Sequence, residues 1–157
     1  MTKIIPCLWF DKEAREAAEF YASVLPDTHI KESVGAAADY PSGSKGDELL
    51  VEMSIMGQAV TLLNGGPHFH HSEAFSFQIF CEDQAEVDRY WDALSAHPEN
   101  EQCGWVKDKF GLSWQITPTR LVELLRSTDP ATSERVMKAM LGMKKLDIAA
   151  LEAAAAG

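Results

Sequence analysis

The segment LLNGGPHFHHSEAF, residues 62 to 75, sets His68, His70 and His71 just after a glycine pair. Imidazole is the commonest metal-binding side chain, so a divalent-ion site is the first chemistry to weigh. In an extended segment His68 and His70 share a side while His71 points away. Gly65, Gly66 and Pro67 impose a turn just before them. Two imidazoles from one short segment, without a third ligand elsewhere, make a weak site, and the segment reads as a polar connector.

Other constellations are as informative. There is no GxSxG, and Ser76 stands within an extended run rather than at an elbow, so no nucleophilic serine is signalled. Asn64–Gly65–Gly66 is too short for a phosphate-cradling loop, and no GxGxxG follows the first apolar run, so a Rossmann-type methyl-donor site is not visible. Cys7, Cys81 and Cys103 are odd in number, lack CxxC spacing and lie in or beside expected strands. Buried free thiols in a reducing cytoplasm are expected.

The elements that must position these groups repeat. IIPCLWF reads as a strand; DKEAREAAEFYASVLP then carries Ala14, Ala17, Ala18, Tyr21, Val24 and Leu25 at helical spacing. FSFQIFCE reads as a second such strand, before DQAEVDRYWDALSAHP with Val87, Tyr90, Trp91 and Leu94 on one stripe. A shift of 70 sets Val87 on Ala17 and Trp91 on Tyr21. Hairpin-linked strands follow in both halves, trimmed in the second, and aligning Gly57 with Gly111 sets Thr61 on Gln115. Each half is a supersecondary unit whose apolar sheet face is buried by its own helix.

Strand alternation sorts the side chains. Leu112, Trp114 and Ile116 oppose Ser113, Gln115 and Thr117; Phe77, Ile79 and Cys81 oppose Ser76, Gln78 and Phe80; Leu49, Val51, Met53 and Ile55 oppose Leu50, Glu52 and Ser54. The apolar sets suit packing under the helices. The polar sets are either half-solvated faces or the wall of a ligand site. Trp91 and Trp114 fall on apolar faces, whereas Trp105, after Gly104, is the better pocket candidate.

The motifs PCLWFD, NGGPHF, SFQIFCEDQAEVDRYW, QCGWVKDKFGLSWQI and VMKAMLGMKKLDIAALEAA resemble PhnB-like proteins of the vicinal oxygen chelate (glyoxalase/bleomycin-resistance) superfamily, often labelled 3-demethylubiquinone-9 3-methyltransferase domains. The resemblance implies an α+β fold of paired βαβββ modules, about 1–66 and 72–118, in one domain 1–118, with a helical extension 119–157. It implies a pocket on the polar sheet faces, with Thr61, Asn64, His68, Phe69, Ser76, Gln78, Trp105, Ser113 and Gln115 as candidate ligand contacts. Glu52 would then be the one acid in the cup, a candidate general base. Metal-dependent members take ligands from the first and last strands of each module. The corresponding positions here are near Ile4 or Pro6, Thr61, Ser76 and Gln115, where no carboxylate or imidazole stands, so no metal and no cofactor is expected.

The chain has 157 residues, 46% apolar and 24% charged, as in an ordinary globular protein. Its 14 basic against 24 acidic residues, a net charge of −10, make nucleic acid an unsuitable partner. No apolar run approaches a membrane span, and the N-terminal one is too short for a secretory signal. The loop Ala38–Glu48, rich in turn-forming residues, is long enough for a lid or a mobile segment. In the extension, Leu121, Leu124 and Leu125 mark a short helix, Asp129–Pro130 opens one bearing Val136, Met137, Met140 and Leu141, and Asp147 caps a last one. That methionine-bearing face needs cover from the convex sheet or a second subunit, and a homodimer is expected. Three functions stay open: metal-independent binding of a small organic molecule, a metal- or Glu52-dependent isomerase, lyase or dioxygenase, and a dimeric scaffold with a vestigial pocket.

Overall fold

The computed structural model describes residues 2–157, and the chain divides into two compact units, Met1–His71 and Ser72–Gly157. The first contains β1 (Cys7–Phe10), α1 (Ala14–Val24), β2 (His29–Gly35), β3 (Glu48–Ile55) and β4 (Gln58–Asn64). Their sheet order is β1-β4-β3-β2, with β1 parallel to β4 and the other pairs antiparallel. Leu8, Leu62 and Val51 form one row across it, and Val60 and Met53 form the next. All five are buried, as are Ala14, Ala17, Ala18 and Tyr21 of α1, which packs on β2, β3 and β4. Small residues on α1 let the helix lie close to the β-branched and leucine surface, removing apolar area from water at roughly 25 cal/mol per Å².

Asn64 ties this unit together. Its Oδ1 accepts from the Ala14 backbone N–H at 3.0 Å, filling one of the orphan donors at the start of α1, where Glu13 provides no side-chain cap. Its Nδ2 donates to the Glu48 carbonyl at 3.0 Å, at the start of β3. The next two glycines are dictated by space. A Cβ on Gly65 would lie 2.5 Å from the Trp9 ring, and Gly66 sits at φ +106° with Ser42 where a side chain would go. The loop around Ser42 folds on itself: Tyr40 and Gly43 exchange both backbone hydrogen bonds, Lys45 N–H donates to Asp39, and Ala36 and Gly46 join its two arms.

The second unit contains β5 (Ser76–Cys81), α2 (Gln84–Leu94), a 3₁₀ turn at Pro98–Asn100, β6 (Trp105–Lys107), β7 (Ser113–Pro118), α3 (Thr119–Leu125), α4 (Pro130–Leu141) and α5 (Ile148–Ala156). Both helix ends of α2 lie 70 residues after those of α1, matching the sequence shift. The order β5-β7-β6 makes three strands, one fewer than a full βαβββ module. The reason lies at Cys103 and Gly104, both in left-handed conformation, φ +49° and +84°. Their N–H groups donate to the Met143 and Lys144 carbonyls rather than to another strand, leaving an isolated bridge between Gln102 and Trp105.

The helical extension therefore packs into the second unit. Leu121, Leu124, Val136, Leu146 and Leu151 form its core, with Leu125, Met140 and Met143 against it. Gln84 of α2 donates to the Leu146 carbonyl and accepts from the Ile148 N–H. Arg135 donates to the Ala154 and Ala155 carbonyls, satisfying the end of α5. The α4 face, expected to need the convex sheet or a second subunit as cover, has α3 and α5 of the same unit packed against it instead. Val136 and Met140 turn inward, and only Met137 and Leu141 are left half exposed. Among the described residues no helix is long and apolar enough to cross a membrane.

Replacing Asn64 by Ala strands a helix N–H and a strand carbonyl, and should lower the unfolding free energy by about 2 kcal/mol. Urea denaturation measures it, and Asn64→Asp, which keeps only the acceptor, should fall between Ala and the native chain.

Candidate functional site

The helix-free face of the second sheet gathers five of the expected contacts. Register places Ser76 opposite Ser113, Gln78 opposite Gln115, and Trp105 and Lys107 opposite Gln115 and Ser113. Opposed residues share a face, so these side chains form one surface. Gln115 Nε2 donates to Ser76 Oγ at 2.9 Å, and Gln78 Nε2 donates to Thr117 Oγ1 at 3.2 Å, crossing between β5 and β7 on alternate diagonals. On the reverse face Phe77 and Trp114 stack tilted at 5.1 Å, and Ile79, Cys81, Val106 and Ile116 are buried. Trp91 and Trp114 are core residues, as their alternation requires.

At the β6 end of the polar face a cavity of about 380 Å³ opens, within the size range of small-molecule sites. Trp105, Lys107, Ser113, Cys103, Gln102 and Glu73 line it with Asn100 and Val106. Ser113 is 1% exposed, and its Oγ has no hydrogen-bond partner among the described residues. A buried hydroxyl left unpaired costs about 1–3 kcal/mol. Lys107 Nζ lies 2.6 Å from Glu73 Oε1, the lysine side chain 19% and the glutamate 56% exposed. The hydrogen bond and charge of Lys107 hold the Glu73 carboxyl below its usual range.

Asp108, fully buried, fixes the geometry around Ser113. Its Oδ1 accepts from the Phe110 and Leu112 N–H groups at 2.9 and 3.1 Å, and its Oδ2 accepts from Trp114 Nε1 at 2.9 Å. Gly111, φ +85°, completes the turn. The residues on both sides of Ser113 are thereby held by one carboxylate.

The other expected contacts lie in the first unit. Thr61 and Glu52 are neighbours across β3 and β4 on the helix-free face, with Glu32 beyond, and Glu52 is exposed. The residue opposite Thr61 is Cys7, and the one opposite Gln115 is Gln78. These differ from the expected first-strand positions: Ile4 and Pro6 precede β1, and Ser76 is two residues before Gln78, joined to Gln115 diagonally. Asn64 lies on the helix-covered side with Phe10 and spends its amide on the backbone. His68 and Phe69 are exposed in the connector, the Phe69 ring edge-on to Trp9 at 4.9 Å, and His71 stands edge-on to Phe10 at 5.2 Å.

Sequence reasoning did not select Lys107, Glu73, Gln102, Cys103 or Asp108. Alternation from Trp105 would have put Lys107 on the pocket face, and an Asp opening a DKFG turn is a known turn signal. The partner of Lys107, from the far side of the unit's sequence, had no local signal.

Two small sheets, each with one helix against one face and a polar surface on the other, define a glyoxalase/bleomycin-resistance-like α+β fold. The chain matches the 3-demethylubiquinone-9 3-methyltransferase family over residues 2–117 and belongs to that family. It is similar to a solved structure described as a putative 3-demethylubiquinone-9 3-methyltransferase, PhnB protein, from Bacillus cereus, at 26% identity and TM-score 0.62, over 75% of this chain and 100% of that one. The fold is also that of protein PA1353 from Pseudomonas aeruginosa, at 21% identity and TM-score 0.53, over 73% and 95% of the two chains. Lactoylglutathione lyase from Agrobacterium tumefaciens aligns at 17% identity and TM-score 0.36, over 73% and 91%. No curated protein matches the chain.

The strand positions that the resemblance assigns to metal ligands carry neutral side chains in each unit. Cys7 and Thr61 on one sheet, and Gln78 and Gln115 on the other, offer a thiol, a hydroxyl and two neutral amides whose nitrogens are already committed. Hard divalent cations need charged oxygens or imidazoles to offset lost hydration. Among the described residues no group of three His, Cys, Asp or Glu side chains is arranged around a common point.

The thiols differ from the buried set expected. Cys81 is buried, and burial pushes it up to about 12, whereas Cys7 is exposed and Cys103 partly so. A colorimetric thiol reagent at pH 8 should titrate Cys7 and Cys103 in the native protein and Cys81 only after denaturation; mass mapping of the labelled sites checks this.

Proposed function

We propose that the chain binds a small organic molecule in the cavity beside Trp105, on the polar face of the second sheet, without a metal ion. Ser113 carries the reading: a buried hydroxyl with no partner among the described residues, at the wall of a cavity, awaits a hydrogen bond from an occupant. Trp105 offers a flat apolar surface next to it, and Asn100 and Gln102 add neutral polar groups at the rim. An aromatic surface beside convergent polar groups is a usual feature of a ligand pocket. Methyl transfer, the activity in the family's name, has no place in this reading. Both sheets contain antiparallel pairs, and β1 runs into DKEA rather than into a glycine-rich phosphate loop.

Three free cysteines suit a reducing, cytoplasmic setting. Met137 and Leu141, half exposed on α4, support a homodimer through that surface. Light scattering at micromolar concentration that gives the mass of one chain would remove the dimer.

The binding reading is tested by a thermal-shift screen of small aromatic metabolites and antibiotics. A ligand at about 100 times its Kd adds about 2.7 kcal/mol to stability, a shift of several degrees. Trp105→Ala should abolish the shift and Ser113→Ala should reduce it. A hit whose shift survives both substitutions would place its site elsewhere.

A further inference from the structure

The cavity contains one basic and one acidic side chain, and they are not equivalent. Lys107 lies on β6, held in sheet register against Ser113, with its side chain 19% exposed. Glu73 belongs to the exposed segment before β5, its side chain 56% exposed, and touches the cavity through Lys107. Removing a carboxylate from that position costs little desolvation, because Glu73 is mostly hydrated already. Leaving Lys107 without a counter-charge costs more, because it is mostly shielded. An incoming carboxylate can therefore take over the lysine while Glu73 swings into water.

We propose that the preferred occupant of this cavity is a planar aromatic monocarboxylate, whose carboxylate displaces Glu73 from Lys107 while its ring lies against Trp105 and Ser113 Oγ hydrogen-bonds its polar edge. The proposal rests on the binding reading above and adds the ligand's charge and the role of Glu73 as a displaceable latch. A neutral ligand would leave the Lys107–Glu73 pair in place and gain nothing from the ammonium. The chain's net charge of −10 opposes anions at long range, but salt screens that repulsion over roughly 10 Å, while the contact at Lys107 is shielded. Selectivity here is a local property.

Calorimetric titration of the full chain with benzoate and with benzamide, which share a ring and differ in charge, tests it. Benzoate should bind about tenfold tighter than benzamide, because its carboxylate keeps Lys107 paired inside the shielded cavity while Glu73 returns to water, whereas benzamide gains nothing from the ammonium. Glu73→Gln, an exposed substitution that leaves the fold intact, should strengthen benzoate several-fold and leave benzamide unchanged. Lys107→Gln should equalise the two probes, with circular dichroism confirming that it folds. Equal binding of both probes to the native chain and to Glu73→Gln would overturn the carboxylate preference and leave the cavity as a neutral-ligand site. Benzoate weakened by Glu73→Gln would overturn the latch. Failure of both probes to bind any of the three proteins at millimolar concentration would overturn the proposal, and a loss of every shift in the wider screen would take the binding reading with it.

Discussion

Each of these two small sheets has one helix to cover it, and a helix covers one face. The apolar positions of every strand are committed to that side by the two-residue period of the backbone, so the other side is left with whatever the alternate positions supply. In the second unit those positions carry Ser76, Gln78, Ser113, Gln115 and Trp105, and their cross-strand hydrogen bonds make the surface an ordered one. A slip of one residue in β7 would exchange Trp114 for Ser113 and place an indole where a hydroxyl now lines a cavity. The burial of Leu112, Trp114 and Ile116 is what forbids that slip. The site is a by-product of a core decision.

Two buried side chains convert that two-sidedness into fixed geometry. Asn64 joins the start of α1 to the start of β3, and Asp108 gathers two backbone N–H groups and an indole N–H around the turn before β7. Asn64 does so with partners far away in sequence and Asp108 within a single turn, and both are shielded from water, where such bonds carry most weight. Neither is among the residues that line the cavity beside Trp105. Their effect on the candidate site is positional: Asp108 holds the residues flanking Ser113, and Asn64 holds the unit on which Thr61 and Glu52 are displayed.

Much of this was readable from residues alone, because period carries it. The apolar stripes of DKEAREAAEFYASVLP and DQAEVDRYWDALSAHP gave both helices, and alternation sorted Trp114 from Ser113 and Gln115 correctly. Register did not follow, since the partner of Thr61 depends on where β1 enters the sheet. The Thr61 N–H donates to the Pro6 carbonyl, and that single bond makes Cys7 the residue opposite. Asn64 reads as a candidate ligand contact because its partners, Ala14 and Glu48, are far away in sequence. The covering of α4 was invisible for a like reason: Leu146 and Leu151 lie beyond Gly142, in a stretch whose own pattern does not say what it packs on. Long-range pairing is the information that a local pattern lacks.

The bonds from Cys103 and Gly104 to Met143 and Lys144 give the tail a role that its position beyond the family match, which ends at residue 117, would not suggest. A strand position that a full module would fill is taken instead by the connection between α4 and α5, and Gln102 also donates to the Leu141 carbonyl. Two of the residues that line the cavity, Gln102 and Cys103, are thus braced from behind by a part of the chain beyond the family match. A change in that appendage would shift Gln102 and Cys103 without disturbing the common scaffold, so under the binding reading a ligand established for a relative would not transfer to this chain by homology alone.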